Sequence, residues 1–126
     1  MSRISVLLDE HMPSFVGDAM IELEPSVNVV QVGVDPVAPP KGTLDPDVLK
    51  YAEANGLALV TFDKNTMIDD MYRHLENGRH TWGMFLFPNG NQLGAGIVAD
   101  SLIFIWAATE AEEWIDKLEY LPYRAE

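Results

Sequence analysis

Leu57-Ala58-Leu59-Val60-Thr61-Phe62-Asp63-Lys64-Asn65 is a continuous apolar run that stops abruptly at a carboxylate. A run of this kind reads as a strand buried on both faces, as parallel strands in α/β proteins are. Asp63 then emerges at the C-terminal end of the strand, the edge along which open α/β sheets build their sites. Ile4-Ser5-Val6-Leu7-Leu8 repeats the pattern and ends in Asp9-Glu10. Two strands that each deliver an acid to one edge are the central feature of the chain.

Elements of alternating type surround these strands. Pro13 opens a helix in which Met12, Phe15, Val16, Ala19, Met20 and Leu23 recur at helical spacing, and Glu24-Pro25 ends it. The β-branched stretch from Val27 to Val34 predicts a second strand. Asp35 to Leu44 holds three prolines and a glycine and reads as an irregular loop. Asp45 as N-cap, Pro46 at the first position and Asn55-Gly56 at the end frame a second helix with Val48, Leu49 and Ala52 inward.

Thr66 and Asp69 form a capping-box-like pair for a third helix, which Asn77-Gly78 stops. Trp82 to Phe87 is a fourth short apolar strand. Leu93 to Ala108 is apolar nearly all round, the pattern of a helix buried on more than one side or seated in an interface. Thr109-Glu110-Ala111-Glu112 reads as another capping box, and Leu118-Glu119-Tyr120-Leu121 as an edge strand before Pro122. The order β-α-β-α-β-α-β-α-α, with that final strand, predicts an α/β fold: three α/β/α layers around a mostly parallel sheet, in one domain spanning 1–126.

Composition narrows the function classes. The chain is 48% hydrophobic and contains no cysteine, so it is a folded protein without disulfides, thiolate chemistry or cysteine-based zinc sites. Its first residues enter a strand at once and no apolar run spans a bilayer, which predicts a cytoplasmic protein without a membrane anchor. Twenty acids against eight lysines and arginines exclude a strongly basic nucleic-acid binder. A local basic face is still available, because Lys64, Arg73, His74, Arg79 and His80 gather after Asp63. A dinucleotide-type glycine loop, a Walker loop and a nucleophile-elbow serine are all missing. The three histidines offer no spaced metal-binding pair and read as surface residues.

Asp9, Asp45 and Asp63 sit at a strand end, a helix start and a strand end, positions that can share one edge. Clustered carboxylates disfavour each other's ionisation unless a cation lies between them. An all-oxygen set favours Mg²⁺ or Mn²⁺, which would position phosphate and activate water for in-line displacement. Each acid alone also has a structural explanation. Asp45 before Pro46 is accounted for as a helix cap, Asp9 caps the first helix equally well, and Asp63 suits a turn. Glu10 is a secondary ligand candidate, since its side chain alternates away from Asp9.

Leu7-Leu8-Asp9-Glu10-His11-Met12-Pro13, Leu44-Asp45-Pro46-Asp47-Val48-Leu49-Lys50-Tyr51-Ala52 and Val60-Thr61-Phe62-Asp63-Lys64-Asn65 together resemble the PIN-like fold. The likeness is to small bacterial PIN-like proteins of unassigned function, and covers roughly the first two thirds of the chain. It implies a metal-dependent ribonuclease fold, often the toxin half of a toxin–antitoxin pair, and its acids map onto Asp9, Asp45 and Asp63. The family usually carries a second aspartate where this chain has Asn65, which offers a metal a neutral oxygen but no charge. The expected function is therefore RNA cleavage with Mg²⁺ or Mn²⁺, with Lys64, Arg73 and Arg79 on phosphate and an antitoxin protein as partner. The alternative is a non-catalytic PIN-like protein acting through a protein-binding or homodimer surface on the Leu93–Ala108 helix. A receiver-type phosphoacceptor is disfavoured, because Phe85-Leu86-Phe87-Pro88 is not followed by the lysine that chemistry wants.

Overall fold

A computed structural model describes residues 2–62, 66–88 and 92–123. Strands β1 (Ser5–Leu8), β2 (Asn28–Gln31), β3 (Leu57–Thr61), β4 (Met84–Leu86) and β5 (Leu118–Tyr120) alternate with helices α1 (Phe15–Leu23), α2 (Asp45–Ala54), α3 (Thr66–Glu76) and α4 (Ala95–Ala108). A 3₁₀ turn at Ala111–Trp114 precedes β5. The strands form one five-stranded sheet in the order β2-β1-β3-β4-β5, and every pair is parallel. The predicted α/β architecture is therefore present, with an all-parallel sheet.

Side-chain alternation along the strands builds a core on each face. Val6, Leu8, Val60, Phe85 and Phe87 pack on one side with α1 and α4, through Val16, Met20, Val98 and Leu102. Leu7, Leu57, Leu59 and Met84 pack on the other with α2 and α3, through Val48, Leu49, Met67 and Met71. β1 and β3 hold the centre, so their apolar runs are explained: both faces of both strands are covered. Among the described residues no helix is long and apolar enough to cross a membrane.

Several boundaries differ from the sequence reading, each for a local reason. β2 ends at Gln31 and does not run to Val34: the Asp35 carboxylate takes the Gln31 N–H at 2.7 Å, and Gly33 turns the chain at φ +78°. Phe15 and Leu23 of α1 face solvent, so the buried stripe there is Met12, Val16 and Met20. On α3 His74 joins Met67 and Met71 on the buried side, while Tyr72 is exposed. Before β5 the capping box is Glu110 with Glu113. The Thr109 hydroxyl instead donates to the Ile105 carbonyl at 2.7 Å and accepts the Trp114 indole N–H at 2.8 Å.

Candidate active site

The sheet order changes direction between β1 and β3: the connection from β1 leads outward to β2, and the chain then returns to β3 on the other side of β1. Ligands of open α/β sheets bind in the crevice outside the strand ends at such a point. Asp9 leaves β1 there, and Thr61 is the last residue of the adjacent β3.

Asp9 is held from both neighbouring strands. Its backbone N–H extends the ladder to the Val60 carbonyl at 3.0 Å, and its Oδ2 accepts the Thr61 hydroxyl at 3.1 Å. From the other side Gln31, itself buried, donates Nε2 to the Met12 carbonyl at 2.7 Å and to the Asp9 carbonyl at 3.3 Å. The turn carrying the acid is thereby clamped. Burial pushes the Asp9 carboxyl above its ordinary value of 3.8, opposed by the Thr61 hydroxyl, His11 and the Glu10 amide, and reinforced by the Glu10 charge. A carboxyl so placed carries a poorly hydrated charge, which a proton or a neighbouring cation would offset.

Asp45 is the first residue of α2 and not its cap. Leu44 occupies the N-cap position, with no side-chain cap bond. The Asp45 Oδ2 accepts the hydroxyl of Thr66, the first residue of α3, at 3.4 Å. The helix-cap explanation of Asp45 therefore loses its footing. Glu10 is turned to the long loop, where both carboxylate oxygens approach the Gly42 N–H at 3.1 and 3.3 Å. It ties that loop to the site edge.

Asp63, Lys64 and Asn65 lie outside the described residues. The residues flanking them are informative: Thr61 touches Asp9, and Thr66 touches Asp45. Among the described residues no group of three or more histidine, cysteine, aspartate or glutamate side chains is arranged to hold a metal ion. Asp9 and Asp45 supply hard oxygen donors of the type Mg²⁺ or Mn²⁺ takes.

The basic residues are distributed differently from the acids. α3 starts at the acid edge and runs back along the sheet, so Arg79, between α3 and β4, lies at the opposite edge from Asp9. There Glu53 accepts from Arg79 Nη1 at 3.5 Å, from the His80 backbone N–H at 3.1 Å, and faces His74 Nε2 at 3.0 Å. His80 Nδ1 meets Asp116 Oδ2 at 2.8 Å. His80 is raised by its hydrogen bond and charge contact with Asp116. Asp116 is lowered despite some burial, through the Thr81 amide and His80. Of these two histidines, both expected at the surface, His74 is buried beside Glu53, whereas His80 is at the surface and paired with Asp116.

Sequence reasoning assigned no role to Gln31 or Thr61. Their signal was a polar residue inside a valine run and a hydroxyl at the last position of an apolar strand. Fold and edge define an open doubly wound α/β protein with a buried acid at its switch point. Comparison with known proteins finds no family model, no curated protein and no solved structure that matches the chain.

Proposed function

We propose that this chain is a PIN-like, Mg²⁺- or Mn²⁺-dependent ribonuclease that acts in the cytoplasm as the toxin component of a toxin–antitoxin pair. One observation carries the reading: Thr61 and Thr66, on either side of residues 63–65, reach Asp9 and Asp45 respectively. The chain connecting the two acids through these threonines contains the third, Asp63.

In this reading Asp9, Asp45 and Asp63 hold the cation, and Asn65 adds a neutral oxygen. The ion would supply charge neutralisation and an activated water for cleavage of a phosphodiester. Thr61 orients the Asp9 carboxylate, and Gln31 keeps the turn that carries it from shifting. A cation beside Asp9 also offsets the desolvation that raises its pKa. Asp9→Asn and Asp63→Asn are expected to abolish divalent-dependent cleavage of RNA while the far-ultraviolet circular dichroism stays that of the parent. Cleavage at the parent rate by both variants refutes the assignment.

A second reading rests on α4, which presents Ile97 and Phe104 to solvent at 50% and 60% exposure. A non-catalytic PIN-like protein that works by binding a protein partner, or a second copy of itself, would use that face. Sedimentation of the pure chain and of Phe104→Glu tests it: a monomer in both cases removes the homodimer from this reading.

A further inference from the structure

The groove between α2 and α3 is the place where the charge of this molecule runs against its average. The net charge is −12, with eight lysines and arginines in all. Lys50, Arg73 and Arg79 line one cleft of about 350 Å³, together with Pro46, Asp70 and Asn77. Lys50 is exposed and forms no ion pair among the described residues. Arg73 gives one Nη1 to Asp70 at 2.9 Å, yet its side chain is 69% exposed, and the rest of its donor fork is uncommitted to that bond. Arg79 reaches Glu53 only at 3.5 Å and is 46% exposed. Surface pairs of this kind are weak and readily exchanged for a better anion.

Direction matters as much as charge. Pro46 stands beside Asp45 at the acid edge, whereas Arg79 lies beyond the end of α3 at the opposite edge. Asp70 on α3 and Asn77 one residue past its end both line the cleft, about 10 Å apart at 1.5 Å per residue. The cations are therefore spread along a track and not focused on one point. A single small anion would use one or two of them; a chain with repeating charge would use all three.

We infer that the α2–α3 groove binds the phosphodiester backbone of a single nucleic-acid strand and leads it to the acid edge at Asp45. This rests on the ribonuclease reading for the identity of the strand, but not for the binding itself. Guanidinium forks match phosphate oxygens in pairs, and Lys50 adds a point charge midway along the track. The surrounding acidic surface repels the strand elsewhere, so the groove sets its path.

The test uses a fluorescein-labelled uridine decamer, the full chain carrying Asp9→Asn, and EDTA, so that binding is read without cleavage. Lys50→Glu and Arg73→Gln are each expected to weaken binding at least tenfold. Each should also flatten the slope of log K against log salt by roughly 0.7 per lost contact, the value for single strands. Arg3→Gln, whose side chain lies against the C-terminal carbonyls of α4 on the other face of the sheet, is the charge control and should change binding by less than threefold. Equal losses in Arg73→Gln and Arg3→Gln overturn the groove, as do absence of binding by the parent at low salt and equal competition by a glutamate decamer. Failure of the two readings is distinguishable. Groove-dependent binding with no Mg²⁺- or Mn²⁺-dependent cleavage by the wild-type chain defeats the nuclease alone. Cleavage that Lys50→Glu and Arg73→Gln leave untouched, with unchanged binding, defeats the groove alone.

Discussion

Replacing Gln31 by methionine keeps the length and most of the volume of the side chain and removes its donor. The buried Met12 carbonyl then loses a 2.7 Å bond, whereas the Asp9 carbonyl, whose Gln31 contact is 3.3 Å, still takes the Met12 N–H at 3.1 Å. The cost is therefore that of one unsatisfied buried acceptor, about 1–3 kcal/mol. At roughly 3–6 °C per kcal/mol for a chain of this length, about 2 kcal/mol lowers the melting temperature by roughly 6–12 °C. The turn from Asp9 to Met12 is what the bond holds, so the loosened turn should also blunt the response of the protein to divalent ions. Differential scanning fluorimetry with EDTA, and then with Mg²⁺ or Mn²⁺, reads both effects. A cycle with Asp9→Asn isolates the coupling between them. A parental melting temperature would show that the bond contributes nothing. A lower one with an unchanged metal response would refute the claim that Gln31 positions Asp9.

The remaining predictions follow from the same geometry. Asp9→Asn should raise the melting temperature at pH 7 in EDTA: a carboxyl raised above 3.8 contributes its stability below that value and loses it as pH climbs through the folded pKa, and the asparagine avoids that loss. The gain should vanish in acid below 3.8 and reverse in sign when Mg²⁺ is added, which melting curves at pH 3 and pH 7 would check. The His80–Asp116 pair should stabilise most between the ordinary values 3.8 and 6.5, fading in acid as Asp116 protonates and fading again as pH rises through the raised His80 pKa. Asp116→Asn, which tolerates φ 61°, should therefore destabilise more at pH 5.5 than at pH 9. Gly83→Ala should cost about 2–5 kcal/mol in urea unfolding, because the backbone sits at φ +106° and the new Cβ would lie 2.9 Å from both Cβ and the carbonyl oxygen of Trp114.

The element order was legible because burial on both faces writes itself into the chain. Leu57 to Phe62 carries no alternation, and β3 has neither face free. Asp9 was legible for a related reason, as the first charge after such a run. What escaped were contacts between residues distant in sequence. Asp45 has the composition of a helix cap, and only the fold reveals that its carboxylate faces Thr66, 21 residues on. Gln31 meets Met12 across 19 residues, and His74 looks like a solvent residue until Glu53 and the His80 carbonyl are brought to it. The basic residues after Asp63 looked like one patch because they are close in sequence. α3 carries Arg73 and His74 away from the acids, and Arg79 ends at the far edge.

β1 has a further property that follows from its position. It is bonded to a strand on each side, and Leu7 belongs to one core while Val6 and Leu8 belong to the other. Local opening that frees β1 must therefore disrupt both layers of the protein at once, so its amides should exchange with solvent only through global unfolding. The Asp9 amide, bonded to Val60 one residue past the strand, shares that protection. Asp9 thus sits on the backbone least free to move. Change in the shape of this edge has to come through the loops that arrive at it.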